Sequence, residues 1–182
     1  MTITLNGTSG INTPGVVNTA AQTVATTLAV TGVSTLTGGF TVGATAAPAF
    51  SAYSSAGTSM TNATYVKVTF DTERFDTNSN FASSRFTPTV AGYYQINSNL
   101  VYLATVSVTQ VVLALYKNGV SETYTNIVTN TTTSSSINLS YIISMNGSTD
   151  YIEMYLYIAG TGTLSTQGGV QTTFNGFLAR SA

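Results

Sequence analysis

The chain has 182 residues, only 6% of them charged, and five basic against six acidic side chains give a net charge of −1. Soluble proteins carry about 25% charged residues, and nucleic-acid binding requires clustered Lys and Arg, so the sequence predicts no nucleic-acid partner. His, Cys and Trp are absent, which excludes Ser-His-Asp and Cys-His catalytic sites, thiolate or imidazole zinc sites and disulfides.

The N-terminal region, residues 1–47, differs in composition from the rest of the chain. No charged residue occurs from Thr2 through Val66, and Val24, Val30, Leu36 and Val42 recur every six residues. Such repeats are typical of a fibrous β-shaft, in which each repeat packs against neighbouring chains. The alternative is a disordered Gly/Thr linker. We predict an extended arm or shaft that forms when three chains lie side by side.

No apolar run in the sequence approaches the ~20 residues of a transmembrane helix. The N-terminus also lacks the basic start and continuous apolar core of an export signal. We therefore expect no membrane segment.

From Pro48 onward the sequence predicts β-strands throughout. Tyr65–Phe70 and Ile137–Met145 alternate in polarity, which is typical of half-buried strands. Asn118-Gly119 and Asn146-Gly147 predict type I′ hairpin turns, each joining two strands. Further strands are predicted over residues 48–55, 85–89, 92–103, 108–117, 120–128, 150–159 and 170–179, and no segment has helical periodicity. The fold class predicted for residues 48–182 is all-β, an antiparallel jelly-roll sandwich.

Oxygen-bearing side chains are concentrated between residues 71 and 80. They are Asp71, Glu73, Asp76, Asn78 and Asn80. An EF-hand is rejected because Phe81 occupies the place of the obligatory Gly and no Glu closes the loop. A solvated loop, in which Arg74 and Arg85 balance the acids, is the preferred interpretation, and a looser calcium site is the alternative.

A carboxylate pair for glycoside hydrolysis would have to come from Glu122, Asp150, Glu153 or the loop acids. Their positions carry no spacing signal, so surface roles are preferred. The Asn-x-Ser/Thr matches, such as Asn62 and Asn130, follow from composition alone. We predict that the protein is not an enzyme and has no catalytic, cofactor-binding or metal-binding residues.

A spaced set of residues resembles a family signature. The set is Phe70, Asp76, Phe81, Phe86, Gly92 and Tyr94, and it resembles the globular head of complement component one-q. Residues 115–119 and 174–178 are similar to a mid-domain strand with its turn and to the final strand of that family. The sequence departs from the family pattern at two places. The gap between Phe81 and Phe86 is shorter than usual, and Ile96 stands where an aromatic residue is common. The resemblance implies the trimeric jelly roll that this family shares with tumour necrosis factor.

The strand predicted at residues 150–158 has two faces whose exposure to water would be unfavourable. The core face comprises Ile152, Met154, Leu156 and Ile158, and the opposite face comprises Tyr151, Glu153, Tyr155 and Tyr157. Three outward tyrosines would expose more area than monomers usually do, which favours a subunit interface over them. The alternative is a solvated tyrosine patch. With the resemblance, we predict a homotrimer whose three N-terminal arms run in parallel.

The start of the chain, with its Leu-Asn-Gly-Thr-Ser-Gly and later Val-Thr-Gly and Leu-Thr-Gly blocks, looks like the start of short bacteriophage fibre and virion-surface proteins. We predict a virion structural protein in which residues 1–47 bind other virion proteins. The head would project from the particle and bind a host surface glycan or protein. The alternatives are a capsid decoration protein and a secreted bacterial adhesin, with a polysaccharide-cleaving enzyme as a distant third.

Overall fold

The structure is a computed structural model that describes residues 47–103 and 107–182. Apart from Ala47, the predicted arm over residues 1–47 lies outside the described residues. This part of the chain forms thirteen β-strands and no helix, and accordingly contains no helix that could span a membrane. The strands are β1 (Ala49–Ser54), β2 (Ser59–Met60), β3 (Tyr65–Lys67), β4 (Thr72–Asp76), β5 (Phe81–Ala82), β6 (Arg85–Phe86), β7 (Gly92–Leu103), β8 (Val108–Lys117), β9 (Val120–Thr131), β10 (Ser135–Met145), β11 (Ile152–Gly160), β12 (Leu164–Thr166) and β13 (Gly169–Ser181).

The strands form two antiparallel sheets that enclose one core. Sheet 1 places β7 between β10 and β13, continues from β13 through β1 to β4, and adds β12 and β2 at the end of β7. Sheet 2 has the order β5-β6-β11-β8-β9, with β3 also paired to β11. Sequence neighbours often lie in different sheets, as in a jelly roll. The predicted all-β sandwich is confirmed.

The core lies between the sheets and follows the alternation of the sequence. In β7 every second residue from Tyr94 to Tyr102 is buried. The core face predicted for β11 is confirmed, since Ile152, Met154, Leu156 and Ile158 are all fully buried. Phe50 of sheet 1 stacks on Phe86 of sheet 2 with ring centroids 4.3 Å apart. Such aromatic pairs contribute about 0.5–1.5 kcal/mol beyond the area they bury, so these rings join the two sheets.

The Asn118-Gly119 hairpin is confirmed. Lys117 pairs with Val120 across the turn, and both turn residues have positive φ, 53° and 81°, as a type I′ turn requires. The Asn118 side chain also fixes the turn against the start of β11, because its Oδ1 accepts the Tyr151 N–H at 2.9 Å.

The predicted hairpin at Asn146-Gly147 is wrong. The strand before it, β10, pairs with β7 in sheet 1, whereas the strand after it, β11, pairs with β8 in sheet 2. The segment therefore crosses between sheets. Asn146 Oδ1 accepts the backbone N–H groups of Ser148, Thr149 and Asp150, each at 3.0 Å, which closes a turn without a partner strand.

The strand predicted over Tyr65–Phe70 ends at Lys67. The alternation continues, because Val68 and Phe70 are buried, but side-chain hydroxyls bind two of the following backbone N–H groups. Thr58 Oγ1 accepts the Thr69 N–H at 2.9 Å, and Ser84 Oγ accepts the Phe70 N–H at 2.8 Å. The alternation of the sequence indicates which side chains are buried, but it does not indicate which acceptors the backbone N–H groups bind.

Edge segments account for the other differences from the predicted strands. The strand predicted over residues 85–89 contains only the two residues of β6, and β2, β4, β5 and β12 were not predicted. Four of the five have two or three residues, too few for alternation to mark them, and the five residues of β4 are polar except for Phe75 and therefore show no alternation.

Candidate functional site

Tyrosines cover the outer face of sheet 2. The register places Tyr65, Tyr157 and Val112 in one row across β3, β11 and β8. The next row contains Lys67, Tyr155, Ala114 and Tyr124. Directly opposed residues of antiparallel strands share a face, so aromatic side chains of β3, β11 and β9 point to the same side, and Tyr116 of β8, which pairs with Glu153, joins them.

Four of these tyrosines form a continuous set of ring contacts, which we call the tyrosine strip. Its members are Tyr65, Tyr116, Tyr155 and Tyr157. The ring centroids are 4.2 Å apart for Tyr116–Tyr155, 5.3 Å for Tyr65–Tyr157 and 6.1 Å for Tyr65–Tyr116. Burial raises the pKa of the Tyr65 and Tyr155 hydroxyls, and the effect is increased by neighbouring tyrosines at Tyr65 and by the Glu153 carboxylate at Tyr155. The strip is therefore an apolar layer that carries hydroxyl groups.

The tyrosines of β11 are partly covered by other side chains of the same chain. Tyr151, Tyr155 and Tyr157 are each half-buried within one chain, Tyr155 and Tyr157 by the strip and Tyr151 by Arg85, whose guanidinium lies 3.9 Å from the ring centroid. The exposure that favoured a subunit interface over this strand is consequently smaller than the sequence implies. Tyr65 is the most exposed member of the strip, at 42%.

Glu153 lies on the same face but is only 3% exposed. Its Oε1 accepts hydrogen bonds from Lys67 Nζ at 2.7 Å and Arg85 Nε at 2.8 Å. Burial by itself raises the pKa of this carboxyl, but the hydrogen bonds and charges of the two cations outweigh it and lower the pKa. Glu153 is thus a buried anion that holds two cations above it.

The two cations border a cleft of about 560 Å³. Its other lining residues are Ser79, Asn80, Ala82, Ser83, Thr87 and Thr89. Lys67 also donates to the Ser83 carbonyl at 2.9 Å, and the Asn80 side chain binds the Asn78 carbonyl and the Thr89 backbone. The wall is therefore polar and held in place by its own hydrogen bonds, and its charged groups are cationic.

The β5–β6 turn that presents Arg85 could not be recognised from sequence. Ser83 and Ser84 both have positive φ, 51° and 60°, so this turn has the backbone of an Asn-Gly hairpin without that dipeptide. Burial of Ser84 and its bond to the Phe70 N–H hold it. No local signal marks Arg85 or Lys67 as a pair, because they meet only through Glu153.

The residues of the candidate calcium loop do not converge. Asp71 accepts the Ser55 hydroxyl and, at 2.7 Å, the Ser55 N–H, and these two bonds lower its pKa. Asp76 accepts the Phe81 N–H at 2.7 Å. Asp71 directly precedes β4 and Asp76 is its last residue, so their backbones are separated by five residues of strand, on the order of 17 Å. No group of three or more acidic residues comes together in the described part of the chain. Of the remaining candidates, Glu73 is exposed, Asn78 bonds the Thr77 hydroxyl and Asn80 supports the cleft.

The candidate carboxylate pair does not supply an acid and a base. Asp150 binds the Asn118 side chain at 2.8 Å and Lys117 at 3.0 Å, and these contacts lower its pKa. The pKa of Glu153 is lowered as well, whereas glycoside hydrolysis requires one carboxyl whose pKa is raised. Glu122 is exposed and lies 3.5 Å from the Tyr141 hydroxyl.

Two of the Asn-x-Ser/Thr matches accept hydrogen bonds within the fold. Asn62 Oδ1 accepts the Gly160 N–H at 3.0 Å, and Asn130 accepts the Ser107 hydroxyl at 2.9 Å.

The outer face of sheet 1 differs from that of sheet 2 because three consecutive rows across β1, β13, β7 and β10 are uncharged. Charged residues border these rows, since Arg74 of β4 lies over Tyr53 and Arg180 of β13 pairs with Tyr93. The three rows are Ala49–Phe177–Gln95–Ile142, Ser51–Asn175–Asn97–Ser140 and Tyr53–Thr173–Asn99–Asn138. We call this surface the neutral face. Phe177 and Ile142 are 49% and 57% exposed on it.

Comparison with known proteins gives structural likeness alone. No protein-family model and no curated protein sequence matches the chain. The structure is similar to the globular domain of zebrafish complement 1qA protein, with 20% identity and a TM-score of 0.57 over 75% of this chain and 99% of that one. It is also similar to murine APRIL, with 11% identity and a TM-score of 0.53 over 72% and 97%. The chain therefore has the jelly-roll fold of the complement one-q and tumour necrosis factor domains, as its sequence predicts.

Proposed function

We propose that this protein is a structural component of a bacteriophage particle, a homotrimer whose head binds the host surface. The observation that carries the proposal is the neutral face. Its three rows have no charged side chain to desolvate on contact, and one row exposes Phe177 and Ile142. A surface of this kind favours contact with another copy of the chain.

The sheet that carries the neutral face is large enough for contact between copies. The four strands that carry it have 6, 13, 12 and 11 residues, which at about 3.3 Å per residue and about 4.8 Å between strands gives on the order of 700 Å² for their whole outer face, roughly half of it in the three uncharged rows. Stable interfaces bury about 800 Å² per partner. The fold supports a trimer as well, since the resemblance to the complement one-q head implies one.

The phage context rests on the N-terminal sequence. Three parallel chains would let the six-residue repeats within residues 1–47 pack against each other as a shaft and attach to other virion proteins. The tyrosine strip and the adjoining cleft would remain free on the opposite sheet for the host surface. A capsid decoration protein would use the same trimer without host binding, and a secreted adhesin would use the same head without a particle.

Two measurements test the proposal. Sedimentation of the full chain at micromolar concentration should give a species of three times 18.9 kDa, and a species of 18.9 kDa alone would refute the trimer. Gold-labelled antibody should locate the protein on intact phage particles. Label at a tail or fibre supports host attachment, label over the shell supports decoration, and unlabelled particles with protein on the bacterial surface support the adhesin.

A further inference from the structure

We propose that the cleft beside Lys67 and Arg85 binds a carboxylated sugar unit of a surface polysaccharide. This inference rests on the proposed host-binding function and names the chemistry of the ligand. Its starting point is Arg85, which the structure holds in one orientation at the cleft. Glu153 binds its Nε at 2.8 Å, and the Tyr151 ring lies 3.9 Å from the guanidinium carbon.

The end of Arg85 is available for a ligand. Within the described residues, its Nη1 and Nη2 groups donate no hydrogen bond, and the side chain is 44% exposed. These two groups form the planar fork that binds a carboxylate through two parallel hydrogen bonds. Because the guanidinium is already oriented, less conformational entropy is lost on binding.

Lys67 supplies a second positive charge at the same cleft. Its Nζ uses two of its three donors, on Glu153 and on the Ser83 carbonyl, and the third remains for a ligand. Two cations and one buried carboxylate leave a net charge of +1, so the cleft is complementary to a single anionic group. The carboxylate of Glu153 lies beneath the cations and is 4% exposed, so the ligand meets the cations first.

The remaining walls favour a sugar over a simple anion. Ser79, Thr87 and Thr89 line the cleft with hydroxyl groups, which both donate and accept hydrogen bonds with sugar hydroxyls. Tyr65 lies two residues from Lys67 on the same face of β3 and begins the tyrosine strip. Flat aromatic rings offer an apolar surface on which the C–H face of the next sugar ring can stack.

The test is calorimetric titration of the full-length protein with oligogalacturonate and with the matching galactose oligomer, which differs only in having CH2OH in place of the carboxylate. We expect binding of the acidic oligomer, weaker by about tenfold or more for the neutral one, since charge-assisted hydrogen bonds contribute about 1.5–3 kcal/mol and 1.4 kcal/mol is tenfold. Oligosialate is titrated in parallel, and preference for it would assign the carboxylate to a sialic-type sugar and equally support the site.

Variants identify the residues. Arg85→Lys keeps the charge but removes the fork and should weaken binding about tenfold. Arg74→Lys is the matched control, because Arg74 also lies over a tyrosine, Tyr53 at 5.3 Å, but on β4 of the other sheet. It should bind the oligomer as the wild type does. Thermal melting of each variant excludes loss of folding as the cause.

Several results would overturn the site. They are equal binding of the acidic and neutral oligomers, equal binding of poly-L-glutamate, unchanged affinity in Arg85→Lys, or no binding of either acidic oligomer. If the protein forms trimers and labels phage fibres but binds no acidic oligomer, this inference fails while the proposed function stands.

Discussion

Replacing Glu153 with Gln should destabilise the head by about 1.5–3 kcal/mol at pH 7, because the substitution keeps the shape of the side chain and removes the charge that binds Lys67 and Arg85. Two charge-assisted hydrogen bonds end on Oε1, at 2.7 and 2.8 Å. At about 1.5–3 kcal/mol each they set an upper bound of about 3–6 kcal/mol. The cationic side chains are 32% and 44% exposed and can rehydrate, so solvent screening removes roughly half of that energy.

The difference between wild type and Glu153→Gln should depend on pH. The folded pKa of Glu153 lies below its ordinary value of 4.5. A lowered carboxyl pKa contributes stability that is fully present above the unfolded pKa and is lost as the pH falls through the folded pKa. The two proteins should therefore differ at pH 7 and converge in acid, where Glu153 is protonated in both.

The assay is urea unfolding followed by tyrosine fluorescence, which reports alone because the chain has no Trp. Both proteins are compared at the same protomer concentration, since assembly changes apparent stability. A loss of about 1.5–3 kcal/mol corresponds to a drop in Tm of roughly 3–12 °C for a chain of this size. Glu122→Gln is the matched control, because Glu122 is exposed and its substitution should change stability by less than about 0.5 kcal/mol.

Two results would refute this reasoning. A cost below about 0.5 kcal/mol for Glu153→Gln would mean that Lys67 and Arg85 gain as much from water as from the carboxylate. An equal cost at pH 3 and pH 7 would mean that the amide disturbs packing and that the lost charge is not responsible.

Other predictions concern the neutral face and the turns. Phe177→Asp should dissociate the trimer without unfolding the head, because it places a charge on the uncharged rows, and unchanged sedimentation would argue against that interface. The trimer should vary little between low and high salt, since no ion pair crosses those rows, and dissociation at high salt would contradict this. Gly147→Ala should cost more stability than Gly119→Ala in urea unfolding. Both glycines have positive φ, but a Cβ at Gly147 would lie 2.2 Å from the Ala91 nitrogen, whereas one at Gly119 comes no closer than 3.5 Å to any group. Equal costs would show that backbone strain alone decides both.

Much of the fold could be predicted because its signals are local. The bounds of β7 and β8 match the prediction to the residue, because alternating burial follows directly from the order of apolar and polar residues in the sequence. The Asn118-Gly119 turn is equally local, because these two residues tolerate positive φ at low cost. Asn146-Gly147 contains the same dipeptide and is not a hairpin, because its flanking strands lie in different sheets.

The candidate cleft could not be predicted because its parts are distant in sequence. Lys67 and Glu153 are 86 residues apart and Arg85 and Glu153 are 68 apart. Sequence reasoning placed Glu153 on the tyrosine face of β11, which is correct, but offered no reason for its burial. That burial depends on β3 and the β5–β6 turn both docking beside β11.

By itself, then, the sequence determined the class of fold, the core face of each long strand and the near absence of charge. These properties depend on composition and on the period of two that every strand shares. Only the tertiary structure decided which sheet each strand joins, and so which face is neutral and which carries tyrosines and cations. Strand pairing is a contact between distant segments, and the alternation that buries one face of a strand is satisfied equally well by several partners.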